Sequence, residues 1–314
     1  MKRFLVTGAA GFIGSHCSDW LLEQGHAVVG VDNLRSGRLE NLRRARTFAH
    51  FQWVEADAGD EAVMRELFGR HRFAGVLHLA ALVSVPESFK EPALNYRLNL
   101  EISDVLARLC MEHGCPRMVF ASSAAVYGDA AQLPIVETAE PRPLSPYAAA
   151  KLASEIMLLG YAASYGLEAV CFRYFNVYGP RQDPGSPYSG VLSIFTDRFK
   201  AGLPVTVYGD GGQTRDFISV HDVVRANAHA LTADRVASGR YNVCTGRAVS
   251  LNQVLALFRQ LYPQAPPAAY APARIGDIRH SLGSPARLAG VLDVTPGIAF
   301  DRGLRALILG ETLD

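Results

Sequence analysis

The chain has 314 residues, 49% of them hydrophobic, with 31 basic against 30 acidic side chains and a formal charge of +1. Such a length supports one large domain or two coupled ones. The charge balance gives no nucleic-acid surface, and no apolar run is long enough to span a bilayer. Five scattered cysteines (Cys17, Cys110, Cys115, Cys171, Cys244) have neither CxxC nor zinc spacing, and nine histidines form no HExxH, so no metal is expected. An odd set of small buried thiols suits a reducing cytoplasm.

The chain enters through Lys2-Arg3, too close to the glycines that follow to read as a secretory leader. Phe4-Leu5-Val6 is an apolar run suited to a buried parallel strand. TGAAGFIG follows, from Thr7 to Gly14. Gly8 permits a tight turn, Gly11 lets backbone N–H groups approach a phosphate, and Gly14 lets the next helix pack on the strand. That helix is predicted from Phe12 to Gln24, its N-terminus presenting open N–H donors and a positive dipole end to a pyrophosphate. Ala27–Val31 makes a second strand, closed by Asp32 eighteen positions after Gly14. A carboxylate there accepts from adenosine ribose hydroxyls and repels a 2′-phosphate, which favours NAD over NADP. Arg35 and Arg38 are the residues that would soften this preference; with Arg43, Arg44 and Arg46 they read as a solvated face.

Strands are predicted over 50–57 and 75–81, the latter ending in small residues that let a cofactor lie close, with a helix over 60–69 between them. A long amphipathic helix follows over 95–114, then a strand over 117–123, a second long helix over 145–165 and a strand over 167–173. The alternation predicts an α/β fold, a Rossmann-type doubly wound parallel sheet with ligands at the carboxyl ends of its strands. After residue 175 the pattern breaks up into short mixed elements. The chain therefore divides into a dinucleotide-binding part, 1–175, and a smaller mixed α/β C-terminal substrate-binding region, 176–314, with excursions back to the sheet. Pro263 to Pro272 reads as an exposed connection.

Tyr147 and Lys151 share one helix face at i and i+4. A free phenol, with a pKa of about 10, is a weak base at neutral pH, and a nearby ammonium favours the phenolate. Such a pair takes a hydroxyl proton while hydride leaves the same carbon for nicotinamide. Ser122-Ser123 end the preceding strand at the same rim, where a hydroxyl can bond the reacting oxygen.

With these motifs in order, the chain resembles the extended short-chain dehydrogenase/reductases, and among them nucleotide-sugar epimerases of the UDP-glucose/UDP-N-acetylglucosamine 4-epimerase type. The likeness runs through TGAAGFIGSH, VDNLRSG, HLAALVSVPES, FASSAAVYG, SPYAAAK, RYFNVYGPRQ, YGDGGQTRDFISVHDV and RIGDIRHS. The resemblance implies Ser123, Tyr147 and Lys151 as the catalytic triad, with Lys151 also on the nicotinamide ribose. It implies an NAD site built from Gly8, Gly11, Phe12, Ile13, Gly14, Asp32, Asn33, Ser36 and Gly37, with Asp57 and Ala58 flanking adenine. Leu79, Ala80, Ala81, Asn99 and Ser122 line the dinucleotide, and Tyr174 sits near the nicotinamide. Asn176, Arg215, Arg274 and Asp277 bind the nucleotide diphosphate and its ribose, the backbone at Tyr208 meets the uracil, and Ser84 meets the sugar. The implied reaction removes hydride from C4, turns the 4-keto sugar over and returns hydride to the other face.

Two details narrow the choice within that family. Ala124 and Ala125 stand where sugar dehydratases of the family carry an acidic pair, and methyl groups cannot eliminate water. Ser281 stands where some relatives have a bulky tyrosine facing the sugar's 2-substituent, so N-acetylated and plain UDP-hexoses both fit. The lack of an arginine in VSVPES argues against UDP-glucuronate, and a UDP-glucuronate epimerase or decarboxylase is the alternative within the family. A simple ketone reductase or a non-catalytic dinucleotide sensor are alternatives outside it. The helices over 95–114 and 145–165, with Tyr161 and Tyr165 one turn apart, are expected to pack against a second subunit or against the core.

Overall fold

The computed structural model describes residues 1–183, 190–273 and 278–310. Its first half alternates as the sequence pattern predicts: β1 (Arg3–Thr7), α1 (Phe12–Glu23), β2 (Ala27–Asp32), β3 (Phe51–Glu55), α2 (Glu61–Arg70), β4 (Gly75–His78), α3 (Val85–Lys90), α4 (Pro92–Tyr96), α5 (Ile102–Glu112), β5 (Arg117–Ser123), α6 (Pro146–Tyr165) and β6 (Glu168–Tyr174). The second half contributes β7 (Asn176–Tyr178), α7 (Val191–Lys200), β8 (Thr206–Tyr208), β9 (Thr214–Ser219), α8 (Val220–Thr232), β10 (Gly239–Val243), β11 (Ala248–Ser250), α9 (Leu251–Leu261), β12 (Ala269–Ala271), α10 (Ala286–Leu292) and α11 (Phe300–Leu309).

Seven parallel strands form the main sheet in the order β10-β6-β5-β4-β1-β2-β3. Both of its faces are covered, so its strands are apolar throughout rather than alternating. Along β1, Phe4 and Val6 enter the core beneath α1 and α8, while Leu5 enters the one beneath α2, α5 and α6. The chain reverses direction across the sheet beside β1, where β2 lies on one side and β4 on the other. That switch point opens a crevice at the strand ends for a ligand. The last region returns to this framework through α8, packed on α1, and β10, the sheet's edge. Its other strands form a three-stranded sheet, β11-β9-β7, and a two-stranded one, β12-β8.

Two expectations need correction. Residues 263–272 are not only a connection, because Ala269–Ala271 pairs in parallel with Thr206–Tyr208. Nor is the helix over 95–114 uniform: a π turn, Arg97–Glu101, joins α4 to α5. The widened turn leaves the Asn99 carbonyl able to accept from Ser103 Oγ (3.0 Å) and Ser154 Oγ (2.7 Å). Among the described residues, no helix is long and apolar enough to cross a membrane.

Candidate active site

The glycine turn is held by its neighbour strand. Gly8 N and Ala9 N donate to Val31 O (2.8 and 3.2 Å), and Gly11 N donates back to Gly8 O (3.1 Å). Gly8 has φ +70°, and a Cβ added there would lie 2.8 Å from Ala80 N. At Gly14 an added Cβ would lie 2.1 Å from Gly8 O, so only glycine lets α1 begin against this turn. Gly11 precedes α1 with no side-chain cap, which leaves first-turn N–H groups beside Phe12, Ile13 and Gly14 for an anion. Asp32 accepts from Ala10 N (3.0 Å) and Leu34 N (2.8 Å), and Gly37 packs so closely that a Cβ would meet its carboxylate at 2.8 Å. Burial pushes the Asp32 carboxyl up, and these backbone bonds oppose the shift. Asn33 Nδ2 donates to Asp57 Oδ2 (3.3 Å), next to buried Ala58, while Ser36 is exposed on the following loop. Arg35 pairs with Glu87 and Arg38 with Asp183 (2.6 and 2.7 Å), so neither is poised for a 2′-phosphate.

The floor of the crevice comes from β4. Leu79 N and Ala80 N donate to Thr7 O and Thr7 Oγ1 (3.2 and 3.3 Å), placing Leu79, Ala80 and Ala81 against the glycine turn. Behind them His78 is sealed between Thr7 Oγ1 (2.8 Å) and Ser103 Oγ (3.2 Å), and burial pushes its pKa down to about 3. Asn99 donates through Nδ2 to Leu82 O (3.0 Å) and Asn95 Oδ1 (2.7 Å), while its Oδ1 is buried without a partner.

Ser145 caps α6 by accepting from Ala148 N (3.2 Å), and Pro146 sets its first turn. Tyr147 and Lys151 therefore face the end of β5. Ser123 hydrogen-bonds the Tyr147 side chain and accepts from Ala125 N (3.1 Å). Lys151 Nζ lies 6.0 Å from the Tyr147 ring centroid and 4.8 Å from that of Phe120. Here the electrostatic expectation needs correction. Burial pushes the phenol up, and only the Ser123 hydrogen bond opposes it. Burial also pulls Lys151 down to about 7, with Glu155 opposing. Desolvation is the largest influence on both groups. Ser122 differs from Ser123: it is buried, and its hydroxyl donates to Glu155 Oε1 rather than towards the crevice.

Asn176, Tyr208 and Arg215 come together around a cavity of about 250 Å³, with Gln213 and Gln182. Asn176 lies two residues beyond Tyr174, which is in register with Ser123. Gln213 Nε2 donates to Tyr208 O (2.6 Å), fixing that backbone. Arg215 Nη1 donates to Thr214 O (3.0 Å); Asp216 and Asp222, acids close in sequence, bond Thr245 and Arg225 instead. Ser281 N donates to Thr214 O (3.1 Å), which places Ser281 beside Arg215. Ser84 is buried and caps α3 through Glu87 N (2.9 Å), and the Tyr174 hydroxyl donates to Asn227 Oδ1 (2.7 Å). Arg274 and Asp277 lie outside the described residues.

A glycine turn, an acid closing the second strand and a Ser-Tyr-Lys rim form a constellation that can be compared with known proteins. The model of the NAD dependent epimerase/dehydratase family matches residues 4–244. The chain belongs to this family. A UDP-glucose 4-epimerase of Mycolicibacterium smegmatis is 38% identical over 305 residues, covering 96% of each chain. Among solved structures, a Thermotoga maritima UDP-glucose 4-epimerase bound to UDP-glucose superimposes with a TM-score of 0.92 at 38% identity, over 98% of this chain and 97% of that one. A UDP-N-acetylglucosamine 4-epimerase of Methanobrevibacter ruminantium, in complex with UDP-N-acetylmuramic acid, gives 0.93 at 36% identity with the same coverage.

As in its family, the cofactor of this chain is NAD, and the residues present fit it. The cradle at Gly8, Gly14 and Gly37 has no room for a Cβ, and the orphaned Asn99 Oδ1 leaves an acceptor for a ligand. The first turn of α1 would hold the pyrophosphate and Asp32 the adenosine ribose. Two members of the site escaped the sequence reading. Glu155 is one, and its signal was an acid four residues after Lys151 on the buried face of α6. Asp216 is the other: fully buried, it accepts from Thr245 N, Thr245 Oγ1 and Gly246 N (2.8, 2.7 and 2.9 Å) and pins that loop to β9 beside Arg215.

Proposed function

We propose that this family member interconverts the C4 epimers of UDP-hexoses and accepts both N-acetylated and plain forms. It is an NAD-dependent nucleotide-sugar 4-epimerase. The observation that carries the reading is that Asn176, lining the cavity with Tyr208 and Arg215, lies two residues beyond Tyr174, the register partner of Ser123. Arg215, and Arg274 beyond the described residues, would grip the diphosphate, since a guanidinium bonds two oxygens at once. Asn176 and Asp277 would add contacts to the nucleotide, and the fixed Tyr208 backbone would meet uracil. In this arrangement Tyr147 takes the 4-hydroxyl proton and later returns it, Ser123 bonds the same oxygen, and Lys151 stabilises the phenolate. Bound NAD supplies a cationic hydride acceptor, which makes a transient 4-keto sugar possible without net redox change.

Ala124 and Ala125 form the turn after Ser123 and present only methyl groups, which supports epimerisation over dehydration. The small Ser281 beside Arg215 leaves space for an N-acetyl group. Residues 1–175 would serve the cofactor, and 176–314 mainly the nucleotide sugar. The exposed Ile156 and Tyr165 of α6 would pack on a second copy, giving a homodimer; Tyr161, by contrast, bonds Asp104 (2.5 Å). Light scattering that finds a monomer at assay concentration would refute that assembly.

The test of function is product analysis by NMR, with UDP-N-acetylglucosamine and UDP-glucose incubated separately without added NAD. Both should yield their C4 epimers, and Tyr147→Phe should lower turnover by about 10²–10⁴-fold. Ser281→Tyr should spare UDP-glucose and abolish the N-acetylated substrate. Conversion of neither sugar by the parent enzyme would refute the proposal.

A further inference from the structure

Helix α6 carries a third polar residue on the face of Tyr147 and Lys151. Glu155 is completely buried. Arg173 on β6 grips its carboxylate from Nε and Nη2 (2.9 and 2.6 Å), Arg240 on β10 approaches it at 3.1 Å, and Ser122 on β5 donates its hydroxyl. Ser122 and Arg173 are in register, one step before the pair Ser123 and Tyr174. One carboxylate thus fastens the catalytic helix to three strands at the level of the catalytic serine. A buried carboxylate–guanidinium pair stabilises a fold poorly, because desolvation offsets the attraction. Its placement has a different consequence.

We propose that Glu155 is a positioning residue for the catalytic pair, fixing α6 against the ends of β5, β6 and β10 and supplying the negative charge that keeps Lys151 an ammonium. The inference rests on the catalytic reading given above. Around Lys151, α6 contributes Tyr147 and Glu155, β4 contributes His78, and β5 contributes the Phe120 ring. Behind Glu155 stand Arg173 of β6 and Arg240 of β10. His78 stays neutral, since burial pushes its pKa down to about 3, and burial brings Lys151 down to about 7 even with Glu155 pulling it up. Among these groups Glu155 is the one carboxyl group. Arg240, partly exposed, competes with Lys151 for it.

The chain has four lysines, Lys2, Lys90, Lys151 and Lys200, so ¹³Cε-lysine NMR can follow Lys151 directly, assigned with Lys151→Met. The titration is run on the enzyme as purified, beside the pH–rate profile. Glu155→Gln should lower the Lys151 midpoint by about one pH unit, and Arg240→Gln should raise it by a smaller amount. Glu155→Asp should fall between Glu155→Gln and the parent. The alkaline limb of the rate profile should move in the same directions. Opposite shifts from the two substitutions are not produced by loosened packing. Should Glu155→Gln fail to fold, Arg240→Gln and Glu155→Asp carry the test. An unmoved Lys151 midpoint in these variants overturns the inference while leaving epimerisation intact. Shifted midpoints in a parent enzyme without turnover overturn the catalytic reading instead, because the NMR titration needs no reaction.

Discussion

The two halves of the crevice are built in different ways. The cofactor side draws on residues adjacent in the chain or in strand register: the Gly8–Gly14 turn hangs from β2, and Leu79 and Ala80 bond Thr7. The side proposed for the nucleotide sugar gathers Asn176, Tyr208 and Arg215 from separate short strands and Gln213 from just before β9, with Ser281 joined to Thr214 from 67 positions away. The first half is rigid because backbone meets backbone with no space for a Cβ. The second is shaped by a few side-chain bonds, such as Gln213 to Tyr208 and Asp216 to the 245–246 loop. The construction suggests where each half can vary: the cradle tolerates no added atom, whereas the substrate side can change its specificity one side chain at a time.

Substitutions on either side should separate the halves. Gly14→Ala, whose Cβ would meet Gly8 O at 2.1 Å, should cost about 3 kcal/mol in chemical denaturation and strip NAD from the purified protein. A variant that kept both stability and NAD would show that the cradle is looser than its geometry. Arg215→Ala should act on the other side alone, raising the KM for the UDP-sugar about 30-fold, near 2 kcal/mol, with NAD content unchanged. Loss of NAD in that variant would join what the comparison separates.

A pH-dependent effect concerns the shared floor. His78 has a pKa of about 3 in the folded chain against 6.5 for the free side chain, so the unfolded chain binds the extra proton first. Stability should therefore fall as pH drops from 6.5 towards 3, by up to about 1.4 kcal/mol per pH unit from this residue. His78→Gln should flatten that slope in acid denaturation; an unchanged slope would assign the sensitivity elsewhere, with His16, pulled down to about 4, the next group to replace.

Much of the cofactor side was legible because its signals are local. TGAAGFIG, the acid at position 32 and the Tyr147–Lys151 spacing each act through neighbours along the chain or one helical turn away. Ser122 and Ser123 were not separable in this way. Strand alternation sends one hydroxyl to Glu155 and the other to the Tyr147 side, and only the packing of α6 gives each direction its partner. The π turn at Asn99 also left no mark on the hydrophobic pattern, because the apolar stripe continues through it while the backbone widens to serve Ser103 and Ser154.

The sequence by itself determined the parallel sheet, the glycine cradle, the preference for NAD and the meeting of Tyr147 and Lys151 with Ser123, since periodicity, glycine freedom and i,i+4 spacing are properties of short segments. Tertiary structure decided the charge balance around those side chains and the composition of the Asn176–Arg215 cavity. Desolvation depends on everything packed around a group, so burial could reverse the expected shift of Tyr147 and set Glu155 against it at Lys151. The cavity likewise exists only after segments from residue 176 to residue 251 have converged, a condition that no local spacing encodes.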